Sequence, residues 1–247
     1  MTLPGAPVDN PKLIVVDTSV LLQLIATDQR VVFRRIRTDF GIQAAIARAV
    51  ESEAFYHLEK VAKFRGRQEQ LKKALGNGTL AAVDYNLLAP LLGSGTESWL
   101  RQIDAEGERL YSIVDRGEAF SHAASSVLGV PIATNDTSAV YRLIRGNENV
   151  PRPIIRFWDL IVLCHQIEML TEGDCDRIRQ VLEKIGERLP ACFSRRSFRD
   201  GLPEFYARLA DIDRPVVGAI GPQERLDERL LLRRLPARNS ELDAPGV

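Results

Sequence analysis

The chain has 247 residues, 45% of them apolar and 27% charged, which suits one large globular domain or a domain with a small appendage. Disordered, collagen-like and coiled-coil classes are excluded on composition alone. With 33 acids against 33 bases, the formal net charge of zero argues against a protein that grips nucleic acid by bulk basicity.

In chain order, a Pro-punctuated leader (1–11) precedes Lys12–Val16, a run of branched apolar residues that predicts a buried strand. Asp17-Thr18-Ser19 follows, with good N-cap residues before the apolar helix face of Val20, Leu21, Leu22, Leu24 and Ile25. A second strand is predicted over Phe40–Ala44. Ala45–Ala74 contains no Pro and a single Gly66, and reads as one long helix or two broken near that glycine. Ser94-Gly95-Thr96-Glu97 has capping-box spacing and opens a helix through about Glu106. Leu110–Val114 reads as a strand, turning through Asp115-Arg116-Gly117-Glu118 into a helix over Ala119–Leu128.

Val130–Thr134 is the next expected strand, followed by Asn135-Asp136, a helix over Thr137–Arg145 and a last strand over Pro153–Phe157. Trp158 to about Leu209 is helical in pattern, with Thr171 and Asp174 as a cap and Ile178, Leu182, Ile185 and Leu189 as an apolar stripe. Prolines 215, 222, 236 and 245 mark a loosely ordered tail, assigned to 212–247. Strands alternating with helices imply βαβ crossovers and a mostly parallel sheet covered on both faces.

No apolar run is long enough to span a bilayer, and the N-terminus lacks the pattern of a signal peptide. Cys164, Cys175 and Cys192 form no CxxC and read as buried free thiols. His57, His122 and His165 are too scattered for a zinc cluster. A cytoplasmic protein is the expectation.

The informative feature is acidic. Asp17, then Asp115 and Glu118, then Asp136 each follow a predicted strand. In an open parallel sheet ligands gather at the carboxyl ends of strands. Carboxylates crowded there repel unless a cation joins them, and Mg²⁺ or Mn²⁺ suits oxygen ligands. Each acid alone reads equally well as a helix cap; their repetition along one edge does not.

Three segments carry a resemblance: Leu13–Ser19, Asp115–Ala119 and Val130–Asp136. They resemble, in order, the strand–Asp–Thr–Ser, Gly–Glu–Ala and strand–Thr–x–Asp motifs of the PIN-domain ribonucleases. The eighteen-residue step from Glu118 to Asp136 is similar to that family's spacing. Val50-Glu51-Ser52-Glu53 is similar to its Val-x-x-Glu pattern, which selects Glu53 with Glu51 as the alternative. The likeness covers residues 12–60 and 110–200 and implies a PIN-like three-layer α/β domain (12–211) with a helical insertion (61–109) and C-terminal helices.

The resemblance implies a Mg²⁺- or Mn²⁺-dependent endoribonuclease, a toxin of the toxin–antitoxin kind among the options, in which Asp17, Glu118 and Asp136 hold metal and Glu53 completes the pocket. Thr18, Ser19 and Thr134 would orient water or phosphate, Asp115 would compete with Glu118 or stand behind it, and Asn135 would hydrogen-bond nearby. Asp159 reads as a helix cap. RNA is the implied substrate and an antitoxin or other protein the implied partner, with a homo-oligomer left open. The alternative is a PIN-like module that binds RNA or protein without cutting, favoured if the acids fail to converge or a base fills the pocket.

Neutrality conceals local asymmetry. Arg30–Arg37 holds four arginines and no acid, Lys60–Lys73 holds Lys60, Lys63, Arg65, Arg67, Lys72 and Lys73 against Glu69 alone, and Arg195, Arg196 and Arg199 form a third group. Each also reads as a solvated helix face; Lys60–Lys73 is the strongest candidate for contact with a phosphate backbone. Aromatic residues are only 6%, so an extensive base-stacking platform is not expected.

Overall fold

The computed structural model describes residues 12–146 and 154–212, with side chains described to residue 206. The expected leader, the expected tail and Pro153 of the last expected strand lie outside these residues.

Five parallel strands form one sheet: β1 (Leu13–Val16), β2 (Gln43–Ile46), β3 (Leu80–Ala82), β4 (Ile132–Ala133) and β5 (Ile154–Ile155), in the order β3-β2-β1-β4-β5. The period-two alternation of strand side chains divides the core. Ile14 and Val16 face one cluster while Leu13 and Val15 face the other. The first layer holds α1 (Thr18–Ala26), α2 (Val31–Phe40), α3 (Arg48–Lys60), α4 (Gln68–Gly76), α9 (Phe157–Gln166), α10 (Glu172–Lys184) and α11 (Phe198–Ile212). The opposite layer holds α5 (Tyr85–Leu92), α6 (Thr96–Leu110), α7 (Arg116–Leu128) and α8 (Thr137–Arg145). The architecture is a three-layer α/β fold, as the alternation predicts.

Several local expectations are corrected. Leu110–Val114 is not a strand: α6 runs on to Leu110, and Ile113 and Val114 both donate their N–H to the Leu110 carbonyl in a tight turn. Leu110 and Val114 are buried four residues apart, a helical spacing that a short apolar run imitates. The second strand starts at Gln43 rather than Phe40, because Val31–Phe40 forms a helix closed by Gly41 at φ +70°. Ser94 does not cap α6, whose N-cap Gly95 provides no side chain; Thr96 instead donates its hydroxyl to the Gly93 carbonyl.

The segment 61–109 is not a purely helical insertion. It contributes β3, which pairs with β2 as an edge of the sheet. The long helical run does break near Gly66, with β2 taking Ala45 and Ile46, and α3 and α4 the remainder. The helical stretch after Trp158 is likewise divided into α9, α10 and α11. Cys164, Cys175 and Cys192 are buried free thiols, and burial pushes Cys164 and Cys175 up to about 12.

Close approach within the first layer has one sharp point among the C-terminal helices. A Cβ at Gly201 would meet the Cys192 carbonyl oxygen and the Phe193 ring at 2.5 Å, and neither can swing away. Gly201→Ala is expected to destabilise the protein by about 1–3 kcal/mol through overpacking; an unchanged denaturation midpoint would contradict that packing.

Candidate active site

The strand order reverses at β1: the chain passes from β1 outward to β2 and β3, then returns to β4 and β5 on the other side. The carboxyl ends of β1 and β4 therefore flank a topological switch point, where the fold leaves a crevice for ligands. Asp17 follows β1, and Thr134-Asn135-Asp136 follows β4.

Asp17 is 2% exposed and starts α1 as its N-cap. Its Oδ2 accepts hydrogen bonds from Ser19 Oγ (2.9 Å) and Thr134 Oγ1 (3.1 Å). Its Oδ1 is buried with no hydrogen-bond partner. Burial pushes the Asp17 carboxyl above its usual range, the two hydroxyls oppose that rise, and repulsion from Glu53 adds to it. A charged oxygen left without a donor in the interior is costly, so it marks a place for a donor or a cation.

Glu53 arrives from α3, where Val50, Ala54 and Leu58 face the core and its carboxyl reaches Thr18. Its Oε2 accepts from Thr18 Oγ1 at 2.8 Å, and its Oε1 lies 3.6 Å from His57 Nε2 one turn further on. Gly117 makes this position possible: a Cβ there would lie 1.9 Å from Glu53 Oε2 and 3.2 Å from Thr18 Oγ1. Glu51, two residues earlier and roughly 200° around the helix, is displaced from that direction; the described contacts select Glu53.

Glu118 stands in the first turn of α7, not at a strand end. Its Oε2 accepts from the Asp115 backbone N–H at 3.3 Å, and Arg142 Nη2 of α8 lies 3.4 Å from the same oxygen. Burial, then hydrogen bonding and repulsion with Asp136, then repulsion from Asp17, push Glu118 up to about 9. Asp136 caps α8 by accepting from the Ala139 N–H (2.8 Å) and the Ser138 hydroxyl (2.7 Å). Burial opposes ionisation of Asp136, but the Glu118 hydrogen bond and those capping donors outweigh it and hold Asp136 down at about 2. At neutral pH the pair thus shares one proton.

The remaining expected residues divide by role. Ser19 Oγ links Asp17 to the Asn135 N–H, and Thr134 Oγ1 links Asp17 to the Asp136 N–H. Asp115 is exposed at the N-cap of α7, behind Glu118 rather than among the buried acids. Asn135 is a structural tie: its Nδ2 donates to Gln23 Oε1 (2.8 Å) and its Oδ1 accepts from the Phe157 N–H (3.0 Å). Asp159 sits in the first turn of α9 and accepts from the Arg156 N–H, as a cap does. Asn135→Ala is expected to cost about 2 kcal/mol, since it strands an amide N–H and a carbonyl oxygen, a loss measurable by urea unfolding.

Sequence reasoning missed Gly117 as a packing requirement, Arg142 as the cation beside Glu118, and His57 and His122 as neighbours. His122 lies one turn beyond Glu118 on α7, buried, with Nδ1 unpartnered. Burial lowers it to about 4, against the pull of Asp136, so it is neutral. The spacings Glu53–His57 and Glu118–His122, both i,i+4, were the available signal.

The basic run is displayed on the surface. Lys60 ends α3, Lys63, Arg65 and Arg67 lie in the turn, and Lys72 and Lys73 are on α4. Lys60 pairs with Glu59 and Lys72 with Glu69, while Lys63 binds Glu187 and lies over the Phe64 ring. Half of the run's charge is thereby opposed by a neighbouring carboxylate. Arg65 and Arg67 hydrogen-bond to the Lys60 and Lys63 carbonyls.

Among the described residues, no three His, Cys, Asp or Glu side chains stand as a ready-made ligand set for one metal ion. The donor chemistry nevertheless suits a hard divalent cation: carboxylate oxygens, one of them buried and unpaired. Without metal, the upward shift of Glu118 has a direct consequence. Its folded-state value of about 9 exceeds the ordinary 4.5, so its stabilising contribution is whole below about pH 4.5 and is lost as pH rises through about 9. In EDTA, the melting temperature is expected to fall by about 5 °C between pH 6 and 9, and Glu118→Gln to flatten that slope. Parallel slopes in the two proteins would refute the shared proton.

No described helix is long and apolar enough to cross a membrane. Comparison of the chain with family models, with curated proteins and with solved structures finds no match.

Proposed function

We propose that this protein is a Mg²⁺- or Mn²⁺-dependent nuclease that hydrolyses phosphodiester bonds in RNA, with Asp17, Glu118 and Asp136 as metal ligands and Glu53 completing the pocket. The observation that carries the reading is Asp17 Oδ1, buried and unpaired at the switch point, with Glu53 and Glu118 close enough to act on its carboxyl electrostatically. Burial, with a smaller contribution from neighbouring carboxylates, raises both Asp17 and Glu118. Such an arrangement costs stability and is relieved by a cation. RNA as the substrate rests on the motif resemblance to PIN-domain ribonucleases.

A bound divalent ion would supply an activated water and charge neutralisation for the phosphate. The chain's own residues do the positioning. Ser19 and Thr134 fix Asp17 Oδ2, which leaves Oδ1 without a hydrogen-bond donor. Thr18 fixes Glu53 through a 2.8 Å hydrogen bond. The N-terminus of α7 places Glu118, and that of α8 places Asp136.

A second reading, a PIN-like module that binds RNA or a protein without cutting, is favoured by two observations. Arg142 stands beside Glu118, and no three ligands are already arranged for one ion. End-labelled single-stranded and structured RNAs, incubated with Mg²⁺ or Mn²⁺ and with EDTA, decide between them. Metal-dependent cleavage supports the nuclease; RNA binding without cleavage in any metal supports the module.

A further inference from the structure

We propose that Arg142 is a phosphate clamp: it rests on Glu118 in the free protein and transfers its guanidinium to the non-bridging oxygens of a bound RNA phosphate. The proposal rests on the reading of the acid cluster as a nuclease site. Arg142 lies on α8, the helix that Asp136 caps, so it is carried by the same element as one of the site acids. It meets Glu118 through a single nitrogen at 3.4 Å, a long, one-point contact for a group with five donors. Its side chain is 45% exposed, whereas that of Glu118 is 13% exposed, so the guanidinium lies on the open side of the pair.

The chemistry of Arg fits the task. Its planar fork matches a phosphate bidentately, and its charge is permanent. When cations occupy the carboxylates they displace the single contact between Arg142 and Glu118, and an incoming phosphate offers the guanidinium a better partner. In hydrolysis, water adds to phosphorus, the bond from phosphorus to the leaving oxygen breaks, and the water's proton leaves with that oxygen or with solvent. Arg142 takes no atom in this exchange; it stabilises charge on the non-bridging oxygens.

Three measurements test the clamp. Arg142→Gln is expected to lower kcat for RNA cleavage about 100-fold, with Arg142→Lys recovering little because an ammonium lacks the fork. Mn²⁺ affinity, titrated on the protein without RNA, is expected to stay the same or tighten once the competing cation is gone. RNA binding, measured in the Asp17→Asn background so that the strand stays intact, is expected to lose about 0.7 from its log–log salt slope when Arg142→Gln is added, one phosphate contact on a single strand.

An unchanged salt slope overturns the clamp. A tenfold weaker Mn²⁺ affinity in Arg142→Gln also overturns it, because Arg142 would then serve to organise Glu118. If wild-type protein cleaves no RNA but the slope still falls, the phosphate contact stands and the nuclease reading is what fails.

Discussion

Asp17→Asn is expected to abolish RNA cleavage, by at least about 100-fold, while leaving the metal-free protein as stable as wild type or more so. Most substitutions of a nearly buried polar residue destabilise; this one has reason to do the opposite. Asn accepts from Ser19 and Thr134 through its oxygen, as Asp17 Oδ2 does, and is an equally good N-cap for α1. At Oδ1 it replaces a buried, unpartnered acceptor with an NH₂ that can donate toward the surrounding carboxylates. Relief of about 1 kcal/mol would raise the melting temperature by about 2–4 °C in a chain of this size. Cleavage by Asp17→Asn at the wild-type rate would remove Asp17 from the active site. A loss of more than about 2 kcal/mol in the metal-free state would show that the cluster is not under electrostatic strain.

Gly117→Ala separates site from scaffold in the other direction. The added methyl would lie 1.9 Å from Glu53 Oε2, so the carboxylate must leave Thr18. Glu53 is a flexible side chain, 37% exposed, and it can rotate outward with little cost to the core. Alanine also favours the first turn of α7 over glycine by up to about 1 kcal/mol. The expected result is a protein whose melting temperature changes little but whose cleavage falls at least about tenfold. Glu53→Gln should show a similar loss, and the double variant little beyond either single one, because both act through the same carboxylate. Full activity in Gly117→Ala would place Glu53 outside the chemistry. Gly201→Ala is the contrasting control, since its methyl meets a backbone carbonyl that cannot move aside.

The parts of the site legible in the sequence are those set by local rules. Leu13–Val16 is buried on both faces and so reads as an unbroken apolar run, and the turn from strand to helix leaves Asp17 at its end. Asp136 and Thr171 announce helices α8 and α10 through their capping hydrogen bonds. Errors fell where local patterns are ambiguous. Leu110 and Val114 fit a strand or a helix end equally well, and α6 packing on α7 decides for the helix. β3 has only three residues and reveals itself only through pairing with β2. The i,i+2 pair Glu51 and Glu53 differs by helix face, which depends on where α3 begins.

Local sequence is enough to specify an α/β chain with alternating buried strands and capped helices, and to name the acids that stand at element ends. Those features follow from periodicity and capping, which involve residues a few positions apart. Packing of the elements brings Asp17 near Glu53 and Glu118, and Glu118 near Asp136, because strand order is set by which faces bury one another, not by any single segment. It also decided that Gly117 must lack a side chain and that Arg142 comes to rest on Glu118. The physical reason is the same for both: a contact between residues far apart along the chain exists only after the helices have packed on both faces of the sheet.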